Sequence, residues 1–551
     1  MCGRVVPNIG TGLRMALLAL VALSPLGTAG AFGQAKAADS APAEGHGRIL
    51  LVLPFDNRSG QPSLEWVREA APEILGSRFA SAGFAPMSRA DRLYALDHLG
   101  LPQGFHPSRA TALKLAQTLD ADSIVVGSFA TDGTSISVQA QVVDVPHLRM
   151  SEAVTARGEM RDLIAVLGSL AWKLTKQMDP GFNGSEETFV AAGSGLRVDA
   201  FEQYIRGITE PDQAERLRHL KQAVALSPAY GQAWMALGRE DYSGQHYDEA
   251  AQAFSKVGIG DPDELEAGFY RGLSLLFSGD YPKAEQAFGS VARVLPLAQV
   301  VNNEGVAVSR QGHDGISLFR EAEAADPNAA DYHFNLAVSL KHHGDVAEAF
   351  AELAQCLRLR PTDAEALDLQ KDWAAPAKPA VGGADLNPEA QVKADPLERI
   401  ARSFDAVAFR QAAVMLDQMD AARQAALTPA NRAHELAGQA RDYLDRGLLL
   451  EAERLFQSAV AADSKVAEAH AGLAEVRERT GDVAGARNEA QAALKLEPSA
   501  EAYLVLGRLD FADSRLDEAG KEAAEALKLE PESRGAQELR HQIDARQSLK
   551  Q

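Results

Sequence analysis

The side chains that could do chemistry in this chain are few, and their spacing does not suit it. His434-Glu435 would open a zinc-protease pair, but that site needs a second histidine at 438, where the chain has glycine. His342 and His343 adjoin Gly344; neighbouring helix positions point in different directions, so the pair reads as a solvated turn. Asp261-Pro262-Asp263 pairs two carboxylates without the other residues of a calcium loop. There is no Gly-x-x-x-x-Gly-Lys-Ser/Thr loop to cradle phosphate and no Gly-x-Ser-x-Gly elbow to raise a serine. Cys2 and Cys356 are too few for a disulfide scaffold or a cysteine metal site, and Cys356 reads as a small core residue. No catalytic residue, metal or cofactor is implied. The chain reads as a non-enzyme, and a hydrolase is disfavoured because no nucleophile–base pair can be named.

Composition points the same way. Lys and Arg number 55 against 76 Asp and Glu, a net charge of −21. No sustained basic run tracks phosphates, which argues against nucleic-acid binding and against adsorption to an anionic membrane face. Hydrophobic content of 46% is enough to build cores, and aromatic content of only 6% favours Ala/Leu helix packing over a β-rich protein. At 551 residues the chain holds three or four domains, or a repeat array. Arg4 and Arg14 flank the start of an apolar run, Met15 to Leu23, which Pro25 breaks and Ala29-Gly30-Ala31 follows. That is the pattern of a cleaved secretory signal over residues 1–31, and the run is short for a membrane span. The mature chain is expected to be periplasmic or secreted, with no span left after cleavage; an uncleaved anchor is the lesser alternative.

Self-comparison decides the architecture. Pro228, Pro262 and Pro296 are 34 residues apart, Pro327 follows, and Pro361 comes 34 later. Trp234, Gly238 and Gly272, Ala250 and Ala284, and Phe254 and Phe288 recur in step, and Gly447/Gly481 and Ala452/Ala486 repeat the period further on. Small residues (Gly238, Gly272, Ala337, Gly507) let paired helices approach; Ala250, Ala284, Ala349, Ala486 and Ala519 fill their crossings. Phe254, Phe288, Phe319 and Phe456 fill the space between repeats, and Pro262, Pro296, Pro361, Pro498 and Pro531 stop second helices. The segment from Ala233 to Pro262 resembles the tetratricopeptide repeat. The fold is therefore expected to be mainly α, a two-block solenoid of helix hairpins. Full repeats are read at 231–264, 265–298, 299–329 (with a shortened turn after Gly312), 330–363, 433–466, 467–499 and 500–533. Degenerate units flank them near 197–230 and 396–432, and 534–548 reads as a capping helix.

Ahead of the repeats, residues 47–180 alternate strand and helix. Arg48 to Phe55 reads as a buried strand, Ser63 to Ala82 as a helix capped by Ser63, and Phe84–Met87 as a strand. Helix follows from Pro107 to Leu119, then strands at Ser123–Phe129, Ile136–Val142 and Ser151–Arg157, and helix again from Asp162 to Gln177. This is a small α/β domain with a mixed sheet. Val52-Leu-Pro-Phe-Asp-Asn57, Ala121 to Ser128 and Val138 to Asp144 resemble the TolB-N-terminal-like domain of bacterial proteins, a module often followed by tetratricopeptide repeats. The expected organisation is a signal at 1–31, linkers at 32–46 and 181–195, the α/β domain at 47–180, block 1 at 196–373, a Pro/Gly-rich linker at 374–395, and block 2 at 396–548.

The repeat resemblance also implies a site. In that family the fifth and ninth positions of each first helix face a ligand in a concave groove. Here they are Met235 and Arg239, Phe269 and Leu273, Asn302 and Val306, and Phe334 and Val338. The groove is largely apolar, and the Lys-with-Asn combination of the family's carboxylate clamp is missing from these places. Equivalent positions in block 2 are Ala437 and Arg441, Ala471 and Glu475, and Leu504 and Arg508. The competing expectation is that these side chains pack against neighbouring repeats. The implied function is a scaffold for protein or peptide partners; alternatives are a ligand-sensing regulatory protein with the α/β domain as sensor and an accessory subunit of an envelope assembly or secretion complex.

Overall fold

The structure, a computed structural model, describes residues 49–374 and 397–548, apart from 103, 105–107, 194 and 259. The signal at 1–31, the linker at 32–46 and all but the first residue of the linker at 374–395 lie outside the described residues. The described chain divides into two compact units. One is Gly231–Asp420; the other joins the residues up to Tyr230 to those from Ala421 onward.

The second unit opens with a mixed sheet. Its strands are β1 (Ile49–Val52), β2 (Asp56–Asn57), β3 (Ala85–Pro86), β4 (Ser123–Thr131), β5 (Ser135–Asp144), β6 (Arg149–Met150) and β7 (Val154–Glu159). The order is β3-β1-β4-β5-β6, with β2 also on β4 and β7 also on β5. β3, β1 and β4 run parallel, and β5 pairs antiparallel with β4, β6 and β7. β1 is apolar throughout because a central parallel strand is covered on both faces, whereas β5 buries alternate residues Ile136, Val138, Ala140 and Val142. Helices α1 (Trp66–Ser81), α2 (Arg89–His98), α3 (Arg109–Thr118) and α4 (Leu163–Met178) clothe the sheet. Leu51, Leu53, Ile124 and Val143 meet Ala95, Leu96 and Leu115 of α2 and α3, while α4 packs on α1, β5 and β7. The helix expected from Ser63 begins later, at Trp66. Pro62–Leu64 form a 3-10 turn closed by Leu64 N–H on Gln61 O, so Ser63 caps nothing. Helix α2 is an addition to the sequence reading, nucleated by a capping box between Ser88 and Asp91.

After a short helix, α5 (Glu186–Ala191), the chain runs in hairpins. The second unit holds α6 (Val198–Thr209) and α7 (Gln213–Leu226). The first unit holds α8 (Gly231–Ser243), α9 (Tyr247–Phe254), α10 (Glu264–Ser278), α11 (Tyr281–Val294), α12 (Ala298–Arg310), α13 (Ile316–Ala325), α14 (Ala330–His343), α15 (Val346–Leu359) and α16 (Ala364–Ala374). α17 (Ala406–Ala425) crosses the boundary between units. The second unit resumes with α18 (Pro429–Asp445), α19 (Leu449–Ala462), α20 (Ala467–Thr480), α21 (Val483–Leu496), α22 (Ala500–Ala512), α23 (Leu516–Leu529) and the terminal α24 (Arg534–Ser548). A Cβ on Gly272 would lie 2.7 Å from the Phe288 ring, so the aromatic of the second helix rests directly on the backbone of the first.

Three expectations are corrected. In the 299–329 repeat the turn is not shortened; residues 311–315 separate the helices, and the second helix loses length, with 10 residues against 14 in α11. Gly312, at φ +79°, and Gly315, whose Cβ would meet Gly305 O at 2.9 Å, hold that loop open. Ala374, expected to open the linker, still belongs to helix α16, where the ring of Trp373 lies 5.8 Å from that of Phe350. The region 396–432 is not a hairpin: residues 397–405 form no helix, and the single helix α17 follows.

Within the second unit, α5 packs on α19 and α20. Glu453 of α19, 1% exposed, accepts from Ser185 N–H at 3.3 Å, and burial raises its carboxyl pKa despite that bond. Gln457 Nε2 donates to Asn183 O at 3.0 Å. Helix α4 lies so close to α5 that a Cβ on Gly168 would reach Phe189 O at 2.9 Å. Arg78 Nε donates to the same carbonyl at 3.1 Å, and burial lowers its pKa to about 10.

Candidate functional site

The candidate site is the face of the first unit on which α12 and α14 present three buried asparagines. Asn302, Asn303 and Asn335 are at most 1% exposed. A primary amide inside a helical core costs free energy unless its donors and acceptor are matched. Here the partner is the non-helical segment 397–404 of the same chain. Asn335 Oδ1 accepts from Arg399 N–H at 2.6 Å, and its Nδ2 donates to Arg399 O at 2.7 Å. Two residues on, Asn303 Oδ1 accepts from Ala401 N–H at 2.9 Å and its Nδ2 donates to Ala401 O at 2.8 Å. Asn302 Nδ2 adds a bond of 3.2 Å to Arg399 O, while Asn302 Oδ1 accepts from Asn335 Nδ2 at 2.7 Å. Alternate residues facing one wall is the period of an extended chain, so each amide does for the segment what a neighbouring strand would do.

The side chains of the segment are held as specifically as its backbone. The Arg399 guanidinium donates to both oxygens of Asp363 at 2.7 Å, to Asp331 at 2.8 Å and to Glu365 at 3.0 Å. Its other face lies 3.6 Å from the centroid of Phe334. Burial opposes its charge, yet the bonds to Asp363, Asp331 and Glu365 raise its pKa. The same pairing holds the Asp363 carboxyl down at about 2. The Glu398 carboxylate accepts from Ser309 Oγ and from Arg310 Nε at 3.2 Å, and Arg310 Nη2 donates to Glu398 O at 3.1 Å. Ile400 and Phe404 pack on the core cluster of the unit, where the Phe404 ring is 5.8 Å from that of Phe269 and 4.0 Å from that of Phe409.

Of the positions expected to line the groove, all but Arg239 are buried. Phe269, Leu273 and Val306 share the cluster beneath Ile400 and Phe404. Phe334 and Val338 pack with Leu353 and Cys356, and Met235 packs with Ala250 and Phe254. Arg239, with half its side chain exposed, bonds Glu266 at 2.7 Å. Asn302, Phe334 and Phe269 touch the segment directly, and Leu273 and Val306 lie in the cluster on which Ile400 and Phe404 pack. The groove also contains asparagines at Asn303 and Asn335, which the sequence reading did not single out. The recurrence of asparagine 32 to 33 residues apart on successive first helices was the available signal. In the second unit, two of the expected positions, Arg441 and Glu475, bond one another, while Arg441 also pairs with Glu501 and Arg508 with Glu478.

The sequence features considered for chemistry occupy structural places. Cys356 is fully buried and free, and burial pushes its thiol up to about 11. Asp261 and Asp263 are raised by burial beside α10. Among the described residues no group of three His, Cys, Asp or Glu side chains could hold a metal ion. No helix among them is long and apolar enough to cross a membrane.

A tetratricopeptide-repeat family model matches residues 235–299, 308–364, 437–493 and 479–534, which lie in both units. The chain carries tetratricopeptide repeats. No curated protein matches the sequence. Similar solved structures include the tetratricopeptide protein YrrB, titled as having an unusual peptide-binding site, at 16% identity and TM-score 0.28, covering 37% of this chain and 99% of that one. MamA from Desulfovibrio magneticus RS-1 matches at 19% identity and TM-score 0.27, covering 33% and 98%. The C-terminal domain of LpoB from Salmonella enterica matches at 21% identity and TM-score 0.19, covering 22% and 88%.

Proposed function

We propose that the protein is a non-catalytic, extracytoplasmic scaffold that holds protein or peptide partners in its tetratricopeptide grooves, with a TolB-N-terminal-like domain in front. The observation that carries this reading is the wall of Asn302, Asn303 and Asn335, which offers paired donors and acceptors to an extended backbone. Main-chain recognition of this kind accepts many sequences, which suits a scaffold. The N-terminal pattern of Arg4, Arg14 and Met15–Leu23 supports export.

The test is a crosslinking pull-down from native envelope and soluble fractions, comparing wild type with Asn303→Ala/Asn335→Ala. A partner captured by wild type and lost by the variant, with helical circular dichroism retained, is the expected result. Capture of the same partners by both would remove the groove as the working site, and no capture by wild type would refute the scaffold. Mass measurement of the mature chain checks for removal of residues 1–31.

A further inference from the structure

We propose that segment 397–404 is a built-in occupant of a peptide site, and that the partner is a protein presenting an extended stretch of the same chemistry. That stretch carries an acidic residue followed at once by arginine, with an aromatic five residues after the arginine. The inference rests on the scaffold reading and deepens it.

Three features separate this site from a mere packing contact. The asparagine amides bond the main chain of alternate residues, and that recognition is indifferent to which chain supplies the backbone. The arginine pocket is built for a fork: Asp363 meets the guanidinium in bidentate fashion while Phe334 stacks on its face, geometry that lysine cannot reproduce. Ser309 and Arg310 form a separate seat for the acidic neighbour. Together these are a reading head for Glu-Arg, filled by Glu398 and Arg399. A competitor on the same chain acts at an effective concentration on the order of millimolar. The strap therefore sets a threshold: weak or non-matching peptides are shut out, and a matching partner enters by displacing Glu398–Phe404.

The test uses the full chain and a fluorescein-labelled synthetic peptide of residues 397–409, read by anisotropy. Glu398→Ala/Arg399→Ala opens the site in cis, and Arg399→Lys is a milder variant that keeps the charge and loses the fork. The opened chain, with unchanged helical circular dichroism, is expected to bind the peptide at least tenfold more tightly than wild type, and Arg399→Lys between the two. Binding should fall at least tenfold when the peptide has alanine for its arginine, and should vanish when Asn303→Ala/Asn335→Ala is added to the opened chain. Equal binding by wild type and opened chain, or indifference to the arginine, overturns the proposal. So does unfolding of both strap variants, which would make the segment part of the core. A wild-type dimer that Glu398→Ala/Arg399→Ala dissolves would assign the segment to a second copy's groove and overturn it too. Partner capture in the pull-down is scored apart: capture that persists while peptide binding fails sinks the strap and spares the scaffold.

Discussion

Asp363→Asn isolates the charge in the arginine pocket, because Asp363 has a second task that asparagine can perform. Its Oδ1 accepts from Ala366 N–H at 3.1 Å at the start of α16, and asparagine caps a helix start as well as aspartate. What the substitution removes is the anion facing Arg399. That guanidinium, through its hydrogen bonds above all, holds the Asp363 carboxyl at about 2 instead of 3.8. At about 1.4 kcal/mol per pH unit this is about 2 kcal/mol. The figure is an upper bound for the strap, because the Ala366 N–H and Arg360 act on the same carboxyl. Hydrogen exchange at the Arg399 and Ala401 amides reads the strap directly, since their acceptors are Asn335 and Asn303. Up to about 30-fold loss of protection at those two amides is expected in Asp363→Asn at pH 7, with the amides of α12 and α14 unchanged. The folded carboxyl ionises at lower pH than the unfolded one. Its contribution is therefore complete above 3.8, shrinks as pH falls through that value, and is gone below about 2. The gap between wild type and variant should close over the same window. Equal protection at pH 7, or a gap that survives unchanged below pH 2, would refute the assignment of the pocket.

Three further outcomes follow from the packing. Gly272→Ala places a methyl 2.7 Å from the Phe288 ring and should cost about 1–3 kcal/mol in urea unfolding; an unchanged midpoint would show that the two helices do not press on one another. His470 bonds Glu489 at 2.7 Å, which raises its pKa above 6.5. Its stabilisation is thus full below 6.5 and lost as pH rises through the raised value, and an NMR titration midpoint under 6.5 would refute the pairing. With Cys2 replaced by serine, the native chain should resist a thiol reagent until it is unfolded, because the Cys356 thiol is covered and pushed up to about 11; equal rates folded and unfolded would contradict its burial.

The repeats were readable because their constraints are local and periodic: Gly272 and Phe288 must meet wherever that hairpin forms, and the 34-residue period marks each meeting. The strap was not readable for the same reason. Leu397, Ile400 and Phe404 are spaced by three and four residues, the signature of a helix face, and so the region passes for a worn repeat. Its hydrogen bonds go instead to asparagines 64 to 98 residues earlier in the chain, a pairing that no local pattern announces. Asp331, Asp363 and Glu365 look like ordinary turn and helix-start residues until Arg399 brings their carboxylates together. The shortened second helix of the 299–329 repeat was located correctly in sequence but assigned to the turn, because a deletion's position does not say which element absorbs it.

The second unit is discontinuous, and that bears on how the chain comes into being. Ser185 and Glu453 are joined by a hydrogen bond across 268 residues, with the whole of the first unit inserted between them. During synthesis at about 5–20 residues per second, α5 emerges tens of seconds before the helices that bury it. The first unit is contiguous and has all its parts as soon as residue 420 has been made. The sheet domain waits through that interval with the Ser185 N–H lacking its Glu453 partner, so the face of α5 that α19 and α20 pack on is an early, exposed target for chaperones. A truncation between residue 420 and the start of α19 at Leu449 would leave that surface exposed for good.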